Sequence, residues 1–141
     1  MKSHASAHWS GGLKDGKGTV STEGGGLSAT PYDFGMRFGG EAGTTPEELI
    51  AAAHAGCFSM ALSAQLGERG MTAEAIDTKA TVTLEFIDDA PTVTKSHLEL
   101  VAKIPGADEA AFMEAAKAAE TGCPISRVLN LDITLDAKLE G

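Results

Sequence analysis

The sequence predicts an α+β fold, and three observations carry that reading. An alanine-rich segment, Leu49 to Leu66, runs without a proline. Two strictly alternating stretches follow it, joined by a hairpin turn. Short strands and a second helix flank these elements, so the order is strands, long helix, hairpin, helix, strand. That is not the repeating βαβ order of a doubly wound sheet.

At the N-terminus Ala5, Ala7 and Trp9 alternate, and Val20 alternates with Thr19 and Ser21. The glycines of Gly11 to Gly18 and Gly24 to Gly26 read as turns between short strands. Asp33 to Phe38 is a further short-strand candidate. Thr45-Pro46-Glu47-Glu48 then fits a capping box: Thr45 caps, Pro46 takes the first helical position, and Glu48 reaches back to the Thr45 amide. Polar residues on the helix are few, namely His54, Ser59, Ser63 and Gln65, and Gly67 and Gly70 are expected to stop it. A helix this apolar on nearly all sides is expected to be buried.

Ala80, Val82, Leu84 and Phe86 share one strand face; Leu98, Leu100, Ala102 and Ile104 share another. Ile87-Asp88-Asp89-Ala90-Pro91 is the turn between them. A second helix is expected over Asp108 to Glu120, capped by Asp108 and stopped by Gly122. Ile133, Leu135, Ala137 and Leu139 alternate in a last strand.

The 141 residues suit one domain, 1–141, with no linker and no repeat. At this size a shared dimer core would add burial. The net charge of −9 argues against nucleic acid and against an anionic membrane surface. No apolar run is expected to reach the ~20 residues of a membrane span. No secretion signal is seen, so a cytoplasmic location is expected. In a reducing compartment two cysteines are catalytic, metal-binding or buried, and not a structural staple.

Cys57 sits in the middle of the long helix, three turns from its N-terminus. It reads either as a small core residue or as a reactive thiol needing a cation from elsewhere. Cys123 lies in the bend Thr121-Gly122-Cys123-Pro124, 66 positions on (123 − 57), so any partnership must come from the tertiary fold. Arg37 is either a solvated arginine or a functional cation. Glu47 is either a first-turn carboxylate favoured by the helix dipole or a functional one. His54, one turn before Cys57, reads as a core or supporting histidine. His54 with the two cysteines lacks the paired spacings of a zinc site. There is no phosphate loop, dinucleotide fingerprint or GxSxG. No metal and no cofactor are therefore expected.

The segment from Gly43 through Thr45-Pro46-Glu47-Glu48 and His54-Ala55-Gly56-Cys57 to Met60 resembles the signature helix of the OsmC/Ohr family of organic hydroperoxide reductases. Gly16 to Glu23, Pro31-Tyr32-Asp33-Phe34 with Arg37-Phe38, Gly122-Cys123-Pro124-Ile125-Ser126 and Asp132 to Asp136 resemble its OsmC branch, so the resemblance spans essentially the whole chain. It implies that Cys57 attacks the hydroperoxide and becomes a sulfenic acid, and that Cys123 closes a disulfide on it. It also implies that Arg37 holds the thiolate and polarises the departing oxygen, and that Glu47 orients Arg37. In the Ohr branch the arginine lies nearer the position of Lys14, which makes Lys14 the second candidate cation. The implied assembly is an intertwined homodimer, with long central helices surrounded by antiparallel sheets. The implied partners are an organic hydroperoxide and a dithiol reductant, lipoyl-linked dithiols among them. Phe58, Met60 and Met36 are the expected apolar lining. The alternative on the same scaffold is a non-catalytic small-molecule binding or osmotic-stress protein.

Overall fold

A computed structural model describes every residue, Met1–Gly141, and the fold is α+β. The chain divides into two compact units, Met1–Leu49 and Ile50–Gly141.

The first unit holds an antiparallel sheet in the order β1-β2-β3, formed by β1 (Ala5–Ser10), β2 (Lys17–Thr22) and β3 (Thr30–Tyr32). Gly18 pairs with Trp9 on one side and Tyr32 on the other. The two rings tilt together over it, with centroids 5.5 Å apart. A Cβ at Gly18 would stand 2.6 Å from both rings, so the position admits no side chain without moving them.

Asp33 to Phe38 is not the strand the local pattern suggests. Phe34–Phe38 is a short helix, α1. The Asp33 carboxylate accepts the Met36 amide at 2.9 Å and the Lys17 ammonium at 2.8 Å. An aspartate at an N-cap outweighs three residues of alternation.

Helix α2 (Pro46–Glu68) crosses from the first unit into the second. Half of the capping box forms: Thr45 Oγ1 accepts the Glu48 amide at 3.0 Å. No return bond from the Glu48 carboxylate is made. Gly67 stays inside the helix, and Gly70, at φ +73°, is the stop. The amide of Met71 donates to Leu66 and that of Gly70 to Gly67, which is a Schellman closure. Only one stripe of α2 is buried: His54, Phe58, Leu62 and Leu66. The expectation of burial on all sides is therefore corrected. The opposite side, including Ala52, Gly56 and an 80% exposed Met60, is apolar and uncovered within the chain. The expectation about membrane-length runs is corrected too. By length and composition α2 could cross a membrane, because the four polar residues between Leu49 and Leu66 are scattered too thinly to interrupt it.

In the second unit β4 (Ala75–Ile87) and β5 (Ala90–Lys103) form the expected hairpin. Asp88 and Asp89 take φ +50° and +62°, as a two-residue type I′ turn requires. A bulge opposite Thr83/Leu84 leaves Thr94 of β5 unpaired, and Phe86 beyond it is 67% exposed. Helix α3 (Glu109–Gly122) is capped by Asp108, whose carboxylate accepts the Ala111 amide at 2.9 Å. A five-residue helix, α4 (Pro124–Val128), follows with Pro124 in its first turn. Strand β6 (Asp132–Glu140) then pairs in parallel with β5, making the order β4-β5-β6. The core joins Phe58, Leu62 and Leu66 of α2 to Leu98, Leu100, Ala102 and Ile104 of β5 and its end. Phe112, Ala115, Ala116 and Ala119 of α3 complete it. Phe58 is thus fully buried core, not pocket lining.

Candidate active site

Two free thiols lie in the second unit, Cys57 half-buried on α2 and Cys123 fully buried. Cys123 closes α3 and caps α4, because the turn at Gly122-Cys123-Pro124 ends one helix and starts the next. Its Sγ accepts the Ser126 amide at 3.3 Å and lies 3.2 Å from Ser126 Oγ. The fold brings the two cysteines near enough for each thiol to shift the titration of the other. Burial pushes the Cys57 thiol up, with Cys123 adding to this and the Ile125 amide opposing it. Burial also works against the Cys123 thiolate. The Ser126 hydroxyl and amide, then Cys57 and the Ile125 amide, outweigh it and bring Cys123 below the ordinary thiol value. In the chain itself the more readily ionised thiol is therefore Cys123, where a depressed Cys57 was expected.

His54, one helical turn before Cys57, is fully buried. Its Nδ1 lies 2.7 Å from Ser96 Oγ on β5 and its Nε2 lies 2.8 Å from Ser126 Oγ on α4. Burial lowers its pKa, and no charged group acts against that. Ser96 and Ser126 were not singled out from sequence. Ser96 could have been, because it is a polar residue two positions before Leu98 on the strand face that buries Leu98, Leu100 and Ala102.

In the first unit Arg37 on α1 meets Glu47 at the start of α2. Arg37 Nη2 donates to Glu47 Oε1 at 2.6 Å, and Nε donates to Oε1 at 3.0 Å and Oε2 at 3.3 Å. The guanidinium also lies over the Phe38 ring, 5.1 Å from its centroid. A forked, charge-assisted pair of this kind fixes the plane of the arginine. Beside it lies a cavity of about 200 Å³ walled by Trp9, Leu13, Tyr32, Phe34 and Phe38, with Asp33 and Arg37 at its edge. Lys14 lies 6.0 Å over the Phe34 ring.

The second unit thus holds two thiols near a buried histidine, and the first unit holds a carboxylate-held arginine at an aromatic cavity. The fold that carries them occurs in solved structures. Over 97% of this chain and 98% of theirs it matches the organic hydroperoxide resistance protein OhrB of Bacillus subtilis, with a TM-score of 0.68 at 24% identity. An OsmC-like protein of Mycoplasma pneumoniae matches over 100% and 99% with a TM-score of 0.77 at 15% identity. The model of the OsmC-like protein family matches residues 39–138. The chain is 53% identical over 134 residues to the peroxiredoxin OsmC of Escherichia coli K12, covering 95% of this chain and 94% of that protein. The Shigella flexneri peroxiredoxin OsmC is equally similar. The chain belongs to the OsmC-like family.

Proposed function

We propose that the chain is a thiol peroxidase that reduces organic hydroperoxides to alcohols. The observation that carries this is the pairing of Cys57 with Cys123 across 66 positions of sequence, in a chain 53% identical to a peroxiredoxin. The Cys57 thiolate attacks the terminal peroxide oxygen, the O–O bond breaks, and the alkoxide leaves as alcohol on taking a proton. Cys57 is left as sulfenic acid. Cys123 then displaces its oxygen as water and forms the disulfide, which protects Cys57 from irreversible oxidation. A dithiol reductant restores both thiols. The aromatic cavity beside Arg37 suits the hydrocarbon part of an organic peroxide, which hydrogen peroxide lacks.

Arg37, oriented by Glu47, stabilises the thiolate and the departing oxygen. Glu47 and Cys57 are ten positions apart on α2, or about 15 Å at 1.5 Å per residue. The uncovered apolar side of α2 supports a homodimer in which two such helices pack antiparallel. Glu47 and Arg37 of one copy then serve Cys57 of the other, twice, by two-fold symmetry.

The test is peroxide consumption by reduced protein with a dithiol supply. Cys57→Ser should abolish turnover, and Cys123→Ser should give one turnover and stop as sulfenic acid. Equal residual turnover in the two variants would overturn the assignment of roles. A Cys57 that reacts no faster than an ordinary thiol would favour a non-catalytic binding protein on the same scaffold.

A further inference from the structure

The polar line Ser96–His54–Ser126–Cys123 is buried and continuous, and the peroxidase chemistry above leaves its histidine without a task. We propose that His54 and Ser126 form a proton relay dedicated to Cys123, which ionises the resolving thiol when the disulfide forms. This rests on the peroxidase reading of the same site.

The geometry supplies a donor and an acceptor at every position in both states of the line. With the thiol protonated, Cys123 S–H donates to Ser126 Oγ, the Ser126 hydroxyl donates to His54 Nε2, and His54 Nδ1–H donates to Ser96 Oγ. One proton shifted from Cys123 to Ser126, and one from Ser126 to His54 Nε2, give the other state while the His54 Nδ1–H stays in place. Cys123 is then a thiolate accepting both the Ser126 hydroxyl and the Ser126 amide, and His54 is an imidazolium donating to both serines. No heavy atom moves, because the distances of 2.7, 2.8 and 3.2 Å already suit both states. The thiolate forms the S–S bond with Cys57 while the S–O bond of the sulfenic acid breaks. The oxygen leaves as hydroxide and becomes water on taking the proton held at His54, returned through Ser126. Thiol plus sulfenic acid thus gives disulfide plus water.

The groups facing His54 decide its titration. Ser96 comes from β5 and Ser126 from α4, burial alone shifts it, and no carboxylate or cation acts on it. A buried imidazole without a counter-charge stays neutral in the resting protein, so it is free to accept. Ser126 touches the reacting sulfur and is catalytic; His54 acts through it and is a positioning residue. A purely structural cluster would hold the fold but leave the pH dependence of disulfide closure untouched.

The test is rapid-mixing of reduced protein with tert-butyl hydroperoxide from pH 5 to 9, following sulfenic acid formation and disulfide formation separately. Ser126→Ala should leave the first step within about twofold and slow disulfide closure about 10²-fold at neutral pH, the usual size of a lost proton-transfer group. The deficit should shrink as pH rises, because hydroxide then ionises Cys123 unaided. His54→Asn should share that profile, and the double variant should be no slower than Ser126→Ala alone. Should His54→Asn fail to fold, nitrogen NMR of the wild-type imidazole carries the point: the Nε2 shift must change when the disulfide forms. Wild-type closure rates and pH profile in folded Ser126→Ala, or an imidazole blind to oxidation, would overturn the relay. Loss of sulfenic acid formation in the wild type would instead sink the peroxidase reading.

Discussion

Gly18 shows how one absent side chain shapes a cavity wall. Trp9 and Tyr32 lean together over it because nothing stands between them. Gly18→Val should force the rings apart, since the added Cβ alone would meet both at 2.6 Å. The expected outcome is a raised KM for bulky organic hydroperoxides with little change for hydrogen peroxide; steady-state kinetics with both substrates checks it. Arg37→Ala should raise the Cys57 pKa in the assembled protein, read by titrating thiolate absorbance. An unchanged value would transfer the task to Lys14. At this scale the family motif made Cys57, Cys123, Arg37 and Glu47 legible as candidates. Ser126 was not legible, because a serine carries no spacing signal of its own. Ser126 gains meaning only when α4 turns its hydroxyl between Cys123 and His54.

Among the elements, α2, α3 and the hairpin were legible because their signals are local. Thr45, Asp108 and the Asp88-Asp89 turn each act within a few residues. Helix α1 was misread because three residues of alternation look the same in a strand and in five helical residues, and Asp33 settles the matter by bonding the Met36 amide. Helix α4 was missed inside what read as a bend. Thr45→Ala should cost about 1 kcal/mol of stability through the lost cap, and Gly70→Ala about 1–2 kcal/mol through a left-handed residue with a Cβ; denaturant melts check both.

The packing of α2 against β5 and α4 also makes stability pH-dependent. Burial lowers the pKa of His54, so the unfolded chain takes up that proton first. Stability from this group is complete above the unfolded value of about 6.5 and falls as pH drops below it, by up to about 1.4 kcal/mol per pH unit, until the folded imidazole also protonates. Asp33, held low chiefly by Lys17, loses its contribution only below its ordinary value of 3.8, whereas the loss from His54 begins near 6.5. Denaturation midpoints at pH 7 and pH 5 should differ in the wild type and converge in His54→Gln.

For the molecule as a whole, the proposed dimer makes the chemistry divisible between chains. Mixing Cys57→Ser with Glu47→Ala chains should restore part of the activity, because one site in each mixed dimer keeps both residues. No recovery in verified mixed dimers would sink the shared site. Activity per chain should likewise fall on dilution, as dissociation separates the contributors.

The parallel pairing of β6 with β5 has a consequence in time. The β4–β5 hairpin needs only a two-residue turn, and so closes early. Strand β6 reaches β5 only after α3 and α4 have been laid down between them. Ser96 arrives with the hairpin, whereas Cys123 and Ser126 arrive with the late crossover. On the proposed roles, a nascent or partly unfolded chain therefore owns its attacking cysteine before it owns the means to rescue it. A Cys57 sulfenic acid formed in such a chain has no partner at hand, so a second peroxide can carry it on to the irreversible sulfinic acid. Completion of the crossover is the moment at which this protein becomes safe in the company of its own substrate.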